Sequence, residues 1–556
     1  MVPNPVSQAT VTNQPLIERE AALKRLADEE WDIVVIGGGI VGSGVLLDAT
    51  SRGLKAALIE QDDLAVGTSS RSSRLIHGGL RYLEDLRLHL VREALLERSR
   101  LMRLAPHLVR LERFLFPVYG WPLFSRAFMG AGLTLYDLLG AARDGGRAHH
   151  LGSDAVAELV PSIRREGLRG GVTYSDGVED DARYSITVAR TAVDQGATAV
   201  TRTRVTDLLT ADDGRVIGVK ATDLLGDAEL EVRANKVIDA TGVWLGHPEA
   251  RLGGSTMKLA PSRGTHLVFE RDRLPLKAGM TLKIPGRVLF LIPYPGAWIV
   301  GTTDEADDGA PDRPVPTLDE VDQILENVNH VLDVDLKRED AVGAFTGLRP
   351  LVGVPGGDTA RVSREHTIHR EDSGLVRASG GKYTTYRLMA RDAVDVALED
   401  RGESIPRSRT ADLELLGAAP REELDRLVSE LATSSGIGND RVRSLVDRHG
   451  TQARDVLDLG RQLDLLRPLA DDVLQLEVEV AWAVSHEMAL SLDDVLSRRM
   501  RLSTARRDRG AGVAPRAARI MGDQLGWDTE RQAAEVETYL ASAHREFDVP
   551  GTQGSS

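Results

Sequence analysis

The 556-residue chain contains no cysteine. That absence removes disulfides, thiolate metal sites, thiol catalysis and cysteine-ligated iron–sulfur clusters together. Cationic charge is also in deficit: the formal net charge is −15, whereas a nucleic-acid partner favours a basic face. No run reaches the ~18–20 uncharged apolar residues that a membrane-spanning helix needs. The most apolar long segment, Phe114–Gly140, is broken by Pro117, Pro122, Arg126 and Asp137. It reads as a buried core helix or as an interfacial segment against a membrane surface. Residues 1–16 are polar, without a basic start followed by an apolar core, so they read as a disordered arm and the expected compartment is the cytoplasm. No internal repeat is present. His486-Glu487 lacks the second histidine of a zinc helix and reads as surface, while His149-His150 reads as solvated loop, so no metal is expected.

What the chain does have is ordinary bulk composition and one well-formed unit. An apolar share of 42% and a charged share of 28% suit a globular protein, and the length suits roughly two to four domains. Asp32–Ile36 is a short apolar run, as a strand buried on both faces would be. Gly37, Gly39 and Gly42 follow at the spacing G-x-G-x-x-G; Val45, Leu46 and Ala49 suit a helix, and Gly53 a stop. A second strand, Ala56–Ile59, ends in Glu60. The glycines allow a tight turn, close approach to a pyrophosphate and close helix–strand packing. The pyrophosphate would meet the helix N-terminus, and Glu60 would accept from ribose hydroxyls. This is a dinucleotide site.

Further along, Gln61–Glu84 mixes small hydroxyl residues and glycines with His77 and Arg81, a composition that suits a loop lying along a cofactor. A short amphipathic helix is expected over Glu18–Glu30 and a longer one over Leu86–Leu104. Runs near 203–209, 215–222 and 228–233 read as a β-meander that leads into a strand ending in Ala240-Thr241-Gly242. Antiparallel strands follow at His266–Phe269, Val288–Pro293 and Trp298–Thr302, then a hairpin of His366–His369 with Leu375–Ala378. That hairpin runs into Gly380-Gly381 and a helix from near Thr384, a second meeting point for a helix N-terminus and an anion or flavin ring. Gly402–Pro420 reads as a linker and Arg421 to about Glu546 as all-helical. Only one dinucleotide fingerprint is complete, since GAGLTL at 130–135 lacks the third glycine. The meander and the return at Gly380-Gly381 suit a flavoprotein, whose later segments close over a cofactor that stays bound.

Eight motifs occur in order: DIVVIGGGIVGSG, TSSRSSRLIHGGLRYLE, GVEDDARY, KVIDATGVW, SRGTHLVF, IVGTTDE, TGLRPL and SGGKYTTYR. On these the chain resembles the FAD-dependent sn-glycerol-3-phosphate dehydrogenases over roughly residues 31–400, and its tail is similar to that family's helical cap. The resemblance implies an α/β (α+β) fold with a Rossmann-type FAD-binding domain of the glycine/D-amino-acid-oxidase-like kind, an interleaved antiparallel-sheet substrate domain and a C-terminal all-helical domain. The implied boundaries are an arm at 1–30, the oxidoreductase region at 31–405, a linker at 406–420, the helical domain at 421–546 and a tail at 547–556. Within the oxidoreductase region, FAD-binding parts fall at about 31–85, 150–260 and 345–400, and substrate-domain parts at about 86–149 and 261–344.

The reaction implied is oxidation of sn-glycerol 3-phosphate to dihydroxyacetone phosphate, with hydride passing to flavin N5 and electrons to a membrane quinone. The protein would be cytoplasmic or peripheral on the inner face of the cytoplasmic membrane, and a homodimer is compatible with this. A phosphate dianion calls for forked cationic donors, which makes Arg81 and Arg349 clamp candidates, with Lys382 as a point charge. Tyr82 joins them at the substrate. Each cation has a plainer reading: a surface arginine at a helix start, a turn residue before Pro350, and a neutraliser of the flavin. Histidine titrates near neutrality without a large shift, and of thirteen histidines His77 and His266 lie inside the family-like motifs. His77 is favoured as base and His266 as holder of the substrate oxygen; the reverse assignment stays open. Carried over as FAD contacts are Gly37, Gly38, Gly39, Gly42, Glu60, Gln61, Thr68, Ser69, Leu75, His77, Val205, Thr241, Gly242, Gly381, Lys382 and Thr384, with Val205 presenting backbone to the adenine.

Two departures from the family pattern stand out: a longer extension before Trp31, and fewer basic residues at 114–126 than membrane-associated relatives carry. The 260–340 half shows no long insertion of the kind oxidases carry, which favours quinone over oxygen. The alternatives are an oxidase that acts on the same substrate and releases hydrogen peroxide, an FAD amine or amino-acid oxidase, and a non-enzymatic flavin-binding scaffold.

Overall fold

In the computed structural model the apolar run from Trp31 forms a strand, Trp31–Ile36, with every residue but Asp32 buried. It pairs in parallel with Ala56–Ile59 on one side and Glu229–Asp239 on the other. The described residues are 14–79, 87–120, 148–245, 252, 259–284, 287–307, 309, 311–353, 366–400 and 405–552. Thr198–Val200 adds to one edge of the sheet, and Val376–Gly380 with antiparallel His366–Arg370 to the other. Thr203–Thr210 and Val216–Asp223 hang from Glu229–Asp239 as the meander, completing eight strands among the described residues.

Helix Ile40–Ser51 packs between helices Asp181–Asp194 and Tyr386–Leu398. Gly44 permits the second contact, because a Cβ there would meet the Tyr386 ring at 2.8 Å. Val45, Leu46, Tyr184, Ile186, Ala390 and Val394 close this core. Burial of such side chains, at roughly 25 cal/mol per Å² of apolar surface, holds the helix layer on the sheet.

A second, ten-stranded sheet is built around Ser262–Glu270, which pairs antiparallel with both Ala297–Gly301 and Ala341–Arg349. It continues through Arg287–Tyr294, Gly279–Ile284, Val109–Tyr119 and Leu168–Glu179 to the two-residue strand Leu75–Ile76. Here one expectation is corrected. Residues 114–119, read as the start of an apolar helix or interfacial segment, lie in the strand Val109–Tyr119, whose run Phe114–Val118 is buried. A short apolar run does not distinguish a strand from a helix by periodicity, and Pro117 could not donate in a helix interior. Residues 121–147, with the rest of that segment, lie outside the described residues.

The N-terminal helix spans Gln14–Asp28, and its Arg19 pairs with Asp223 at 2.6 Å. Helices Arg421–Ser435, Asn439–His449, Ala453–Leu463, Glu477–Glu487, Ala514–Leu525 and Thr529–Phe547 make up most of the C-terminal segment. They do not stand apart from the rest. One apolar core joins Val268, Ile299 and Phe345 of the second sheet to Val480, Val495, Leu496 and Met521. The stretch read as a linker is packed as well: Leu415 is buried and its N–H donates to the Leu104 carbonyl at 2.9 Å. Glu487, read as surface, is buried and pairs with Arg183 at 2.7 Å. Its neighbour His486 is exposed, with its ring stacked on Trp482 at 3.8 Å. His149 and His150 are exposed as expected, but in the short strand His149–Leu151 rather than a loop.

Candidate active site

The first part of the site is the cradle at the carboxyl end of the parallel strands. Gly37 has φ of 103°, and a Cβ there would press on the Ala240 carbonyl oxygen at 2.8 Å. A Cβ at Gly42 would land on the Gly37 carbonyl oxygen. Only glycine lets turn and helix meet this closely. Gly39 stands at the N-cap of Ile40–Ser51 without a side-chain cap, and Ser69 Oγ accepts from the Ile40 N–H at 2.9 Å. Glu60 is buried; its carboxylate accepts from the Gly38 N–H at 2.6 Å and the Asp62 N–H at 2.8 Å. Burial pushes the Glu60 carboxyl up to about 7, against the Gly38 N–H that favours its charge.

These residues fit a bound dinucleotide. The N-terminus of helix Ile40–Ser51 offers its dipole to an anion, and the buried Glu60 carboxylate is an acceptor for hydroxyl donors. Around them, Thr203 of the Val205 strand donates its N–H to the Glu60 carbonyl at 2.9 Å. Thr241 gives its N–H and hydroxyl to Asp239, which also pairs with buried Arg377 at 2.6 Å. Gly242 follows with φ of 62°. Gln61 begins the chain segment that leaves Glu60.

The second part lies where the loop after Gly67 meets the second sheet. The Thr68 hydroxyl donates to the Leu348 carbonyl at 2.6 Å, tying the loop to the strand that carries Arg349. Nη1 of Arg349 donates to Ser262 Oγ at 3.1 Å and Asp304 Oδ1 at 3.4 Å. Nη2 donates to Thr302 Oγ1 at 3.1 Å and the Thr303 carbonyl at 3.2 Å. His266 is buried on the neighbouring strand, with its ring stacked on Phe345 at 4.8 Å and Nε2 hydrogen-bonded with Ser73 Oγ at 2.9 Å. Burial, helped by the Arg349 and Arg74 guanidinium groups, pushes the His266 imidazole down to about 3. The ring is therefore neutral at physiological pH.

His77 follows the strand Leu75–Ile76, and its N–H donates to Thr384 Oγ1 at 3.2 Å. That bond joins it to the segment Gly381, Lys382 and Tyr383–Thr385, where Gly381 has φ of 73° and Lys382 is half-buried. Phe290 stands edge-on to the His77 ring at 6.3 Å and pairs in the sheet with Gly301, which pairs in turn with His266. Both histidines thus reach one patch of the second sheet, with Arg349 beside it. Arg81 and Tyr82 lie outside the described residues.

Sequence reasoning missed Ser73 and Arg74. Arg74 is buried over the Tyr294 ring at 4.2 Å, and its Nε has no hydrogen-bond partner among the described residues. The signal was present in the Arg71–Arg74 run, but hydroxyl-rich loops are usually exposed.

A neutral imidazole, a second histidine and forked cationic donors beside a dinucleotide cradle can take a proton from an alcohol and hold an anionic group. Comparison with known proteins places the chain in a family. Residues 32–395 match the family model described as FAD dependent oxidoreductase, and residues 408–532 the one described as C-terminal domain of alpha-glycerophosphate oxidase. The chain is 43% identical over 533 residues to the glycerol-3-phosphate dehydrogenase of Mycobacterium leprae (strain TN), covering 95% of this chain and 91% of that relative. It is 34% identical to the mitochondrial glycerol-3-phosphate dehydrogenase of Macaca fascicularis, covering 94% and 74%. The X-ray structure of the glycerol-3-phosphate dehydrogenase from Bacillus halodurans complexed with FAD superimposes with a TM-score of 0.79 at 27% identity, covering 96% of this chain and 99% of that one.

Proposed function

The chain belongs to the FAD-dependent oxidoreductases of the glycerol-3-phosphate dehydrogenase family, and on that premise we propose that it oxidises sn-glycerol 3-phosphate to dihydroxyacetone phosphate and passes the electrons to a membrane quinone. The observation that carries the reading is the meeting of buried, neutral His266 with the Arg349 guanidinium beside the glycine cradle.

FAD is the cofactor, and when bound it supplies at flavin N5 the acceptor for the substrate's hydride. Gly37, Gly38, Gly39 and Gly42, with Ser69, would hold its diphosphate and Glu60 its ribose, as the cradle's backbone donors and buried acid suggest. Gly381 and Lys382 would stand at its ring. His77 takes the hydroxyl proton as the carbon is oxidised. His266 receives the substrate oxygen by hydrogen bond; its neutrality suits it to orient the alcohol without adding charge. Arg349 lends its positive charge to the phosphate, its guanidinium held in place by Ser262, Thr302 and Asp304, with Arg81 and Lys382 completing the clamp.

The quinone assignment rests on the sequence, in which one dinucleotide fingerprint and no cysteine leave an acceptor that diffuses in and out. Membrane contact is proposed as peripheral, on the cytoplasmic face. Among the described residues no helix is long and apolar enough to cross a bilayer. One observation favours a second reading, an oxidase on the same substrate: the C-terminal match is to a domain named for alpha-glycerophosphate oxidase. Turnover tests both. With sn-glycerol 3-phosphate and a soluble quinone analogue, dihydroxyacetone phosphate should form in step with reduced quinone. Stoichiometric hydrogen peroxide in air would shift the assignment to the oxidase, and no product in either condition would end the substrate reading.

A further inference from the structure

The C-terminal segment reaches the loop that carries Ser73. Arg501 follows the helical turn Asp494–Arg499 with φ of 62°, and its guanidinium is buried. Nε donates to Asp180 Oδ1 at 3.1 Å, Nη1 to the Ser70 carbonyl at 3.0 Å, and Nη2 to Asp181 Oδ1. Asp181 passes the constraint on, because its other oxygen accepts from the Ser72 N–H at 2.9 Å and the Ser72 hydroxyl at 2.7 Å. Ser72 Oγ accepts in turn from the Arg74 N–H at 2.9 Å. Between those two residues stands Ser73, the partner of His266.

Electrostatics make Arg501 hard to replace. Glu179, Asp180 and Asp181 are three successive carboxyl groups, and Glu179 and Asp181 are fully withdrawn from solvent. Arg74, the other guanidinium beside them, keeps its Nε 3.9 Å from Asp181 while lying over Tyr294. Without Arg501, Asp181 would be a buried charge in need of a partner, and Arg74 is the cation within reach. Drawing it in would move the loop that carries Ser73. The helical segment makes further pairs here, with Arg498 and Arg499 on Asp63 ahead of the loop and Glu546 on Arg71 within it. Arg501 is the contact whose hydrogen bonds lead on to His266.

We infer that Arg501 is a positioning residue for the proposed reaction, fixing the Ser70–Arg74 loop so that Ser73 holds the His266 ring in register. This rests on the reaction reading above. It gives the C-terminal helices a role in substrate oxidation beyond their share of the core.

The test compares wild-type, Arg501→Gln and Arg501→Lys holoenzymes by anaerobic flavin reduction with sn-glycerol 3-phosphate, and by hydrogen–deuterium exchange of the 68–76 amides without substrate. Arg501→Gln should retain FAD, exchange faster at 68–76, and reduce its flavin slower by on the order of tenfold to a hundredfold. Arg501→Lys should recover part of both. Wild-type reduction in FAD-bound Arg501→Gln, or unchanged exchange at 68–76, overturns the inference. Should Arg501→Gln not fold, Ser73→Ala decides, since it removes the hydroxyl by which the loop holds the His266 ring and leaves the inter-segment pairs whole. A wild-type rate in Ser73→Ala overturns the inference equally. If the wild type itself stays oxidised, the reaction reading falls and the positioning role with it; if only the variants match a wild type that is reduced, the positioning role alone falls.

Discussion

His266 and Arg349 show most directly how burial turns ordinary side chains into a site. Because the His266 imidazole is pushed down to about 3, its titration cannot shape the rate near neutral pH. A neutral-pH limb in kcat/KM therefore comes from another group. His77→Ala should slow flavin reduction by roughly a hundredfold to ten-thousandfold, the span of a general base. His266→Gln should slow reduction and leave the limb in place. The shift has a sign for stability as well. The native ring stays neutral while the unfolded chain takes up a proton below 6.5, so this residue costs stability as pH falls from 6.5 towards about 3. Thermal midpoints across that range should therefore fall less steeply in His266→Gln than in the wild type. Arg349→Ala should mainly raise KM for the phosphorylated substrate; an unchanged KM would take Arg349 out of the clamp.

At the scale of elements, the glycine unit folds as its sequence pattern predicts because sterics leave few options. A Cβ at Gly42 has no room beside the Gly37 carbonyl, so Gly42→Val should cost more than about 2 kcal/mol and abolish FAD retention, measurable as flavin per protein. Glu60 lies at the end of the same unit. Its native carboxyl is raised from 4.5 to about 7, so it keeps a proton that the unfolded chain has lost, and FAD-free protein loses stability as pH rises between those values. Glu60→Gln should flatten that loss while weakening FAD binding. Strand–glycine–helix–strand order, the meander and the 366–380 hairpin were readable because local patterning and turn residues agree with the tertiary fold. Val109–Tyr119 was not, because burial on both sides erases the alternation that marks a strand. Ser73 and Arg74 were hidden in a hydroxyl-rich run that looks like surface until the second sheet covers it. Arg501 could not be seen at all: its partners Asp180 and Asp181 are more than three hundred residues away in sequence, and no local pattern encodes such a pairing.

For the whole molecule, the shared core of the second sheet and the C-terminal helices means that the active-site sheet and the helical segment should unfold together. Far-ultraviolet circular dichroism and flavin fluorescence should report coincident thermal transitions; a separate early transition would contradict the shared core. Phe345 belongs to that core and also stacks on His266. Phe345→Ala should therefore lose about 3–5 kcal/mol of stability and slow flavin reduction in the same variant. The most direct test of the central claim is the flavin absorbance of the purified protein when sn-glycerol 3-phosphate is added without oxygen. The fold, the neutral His266 and the cationic clamp together predict rapid bleaching with formation of dihydroxyacetone phosphate. A flavin that remains oxidised would contradict the proposed substrate, even with FAD bound in the cradle.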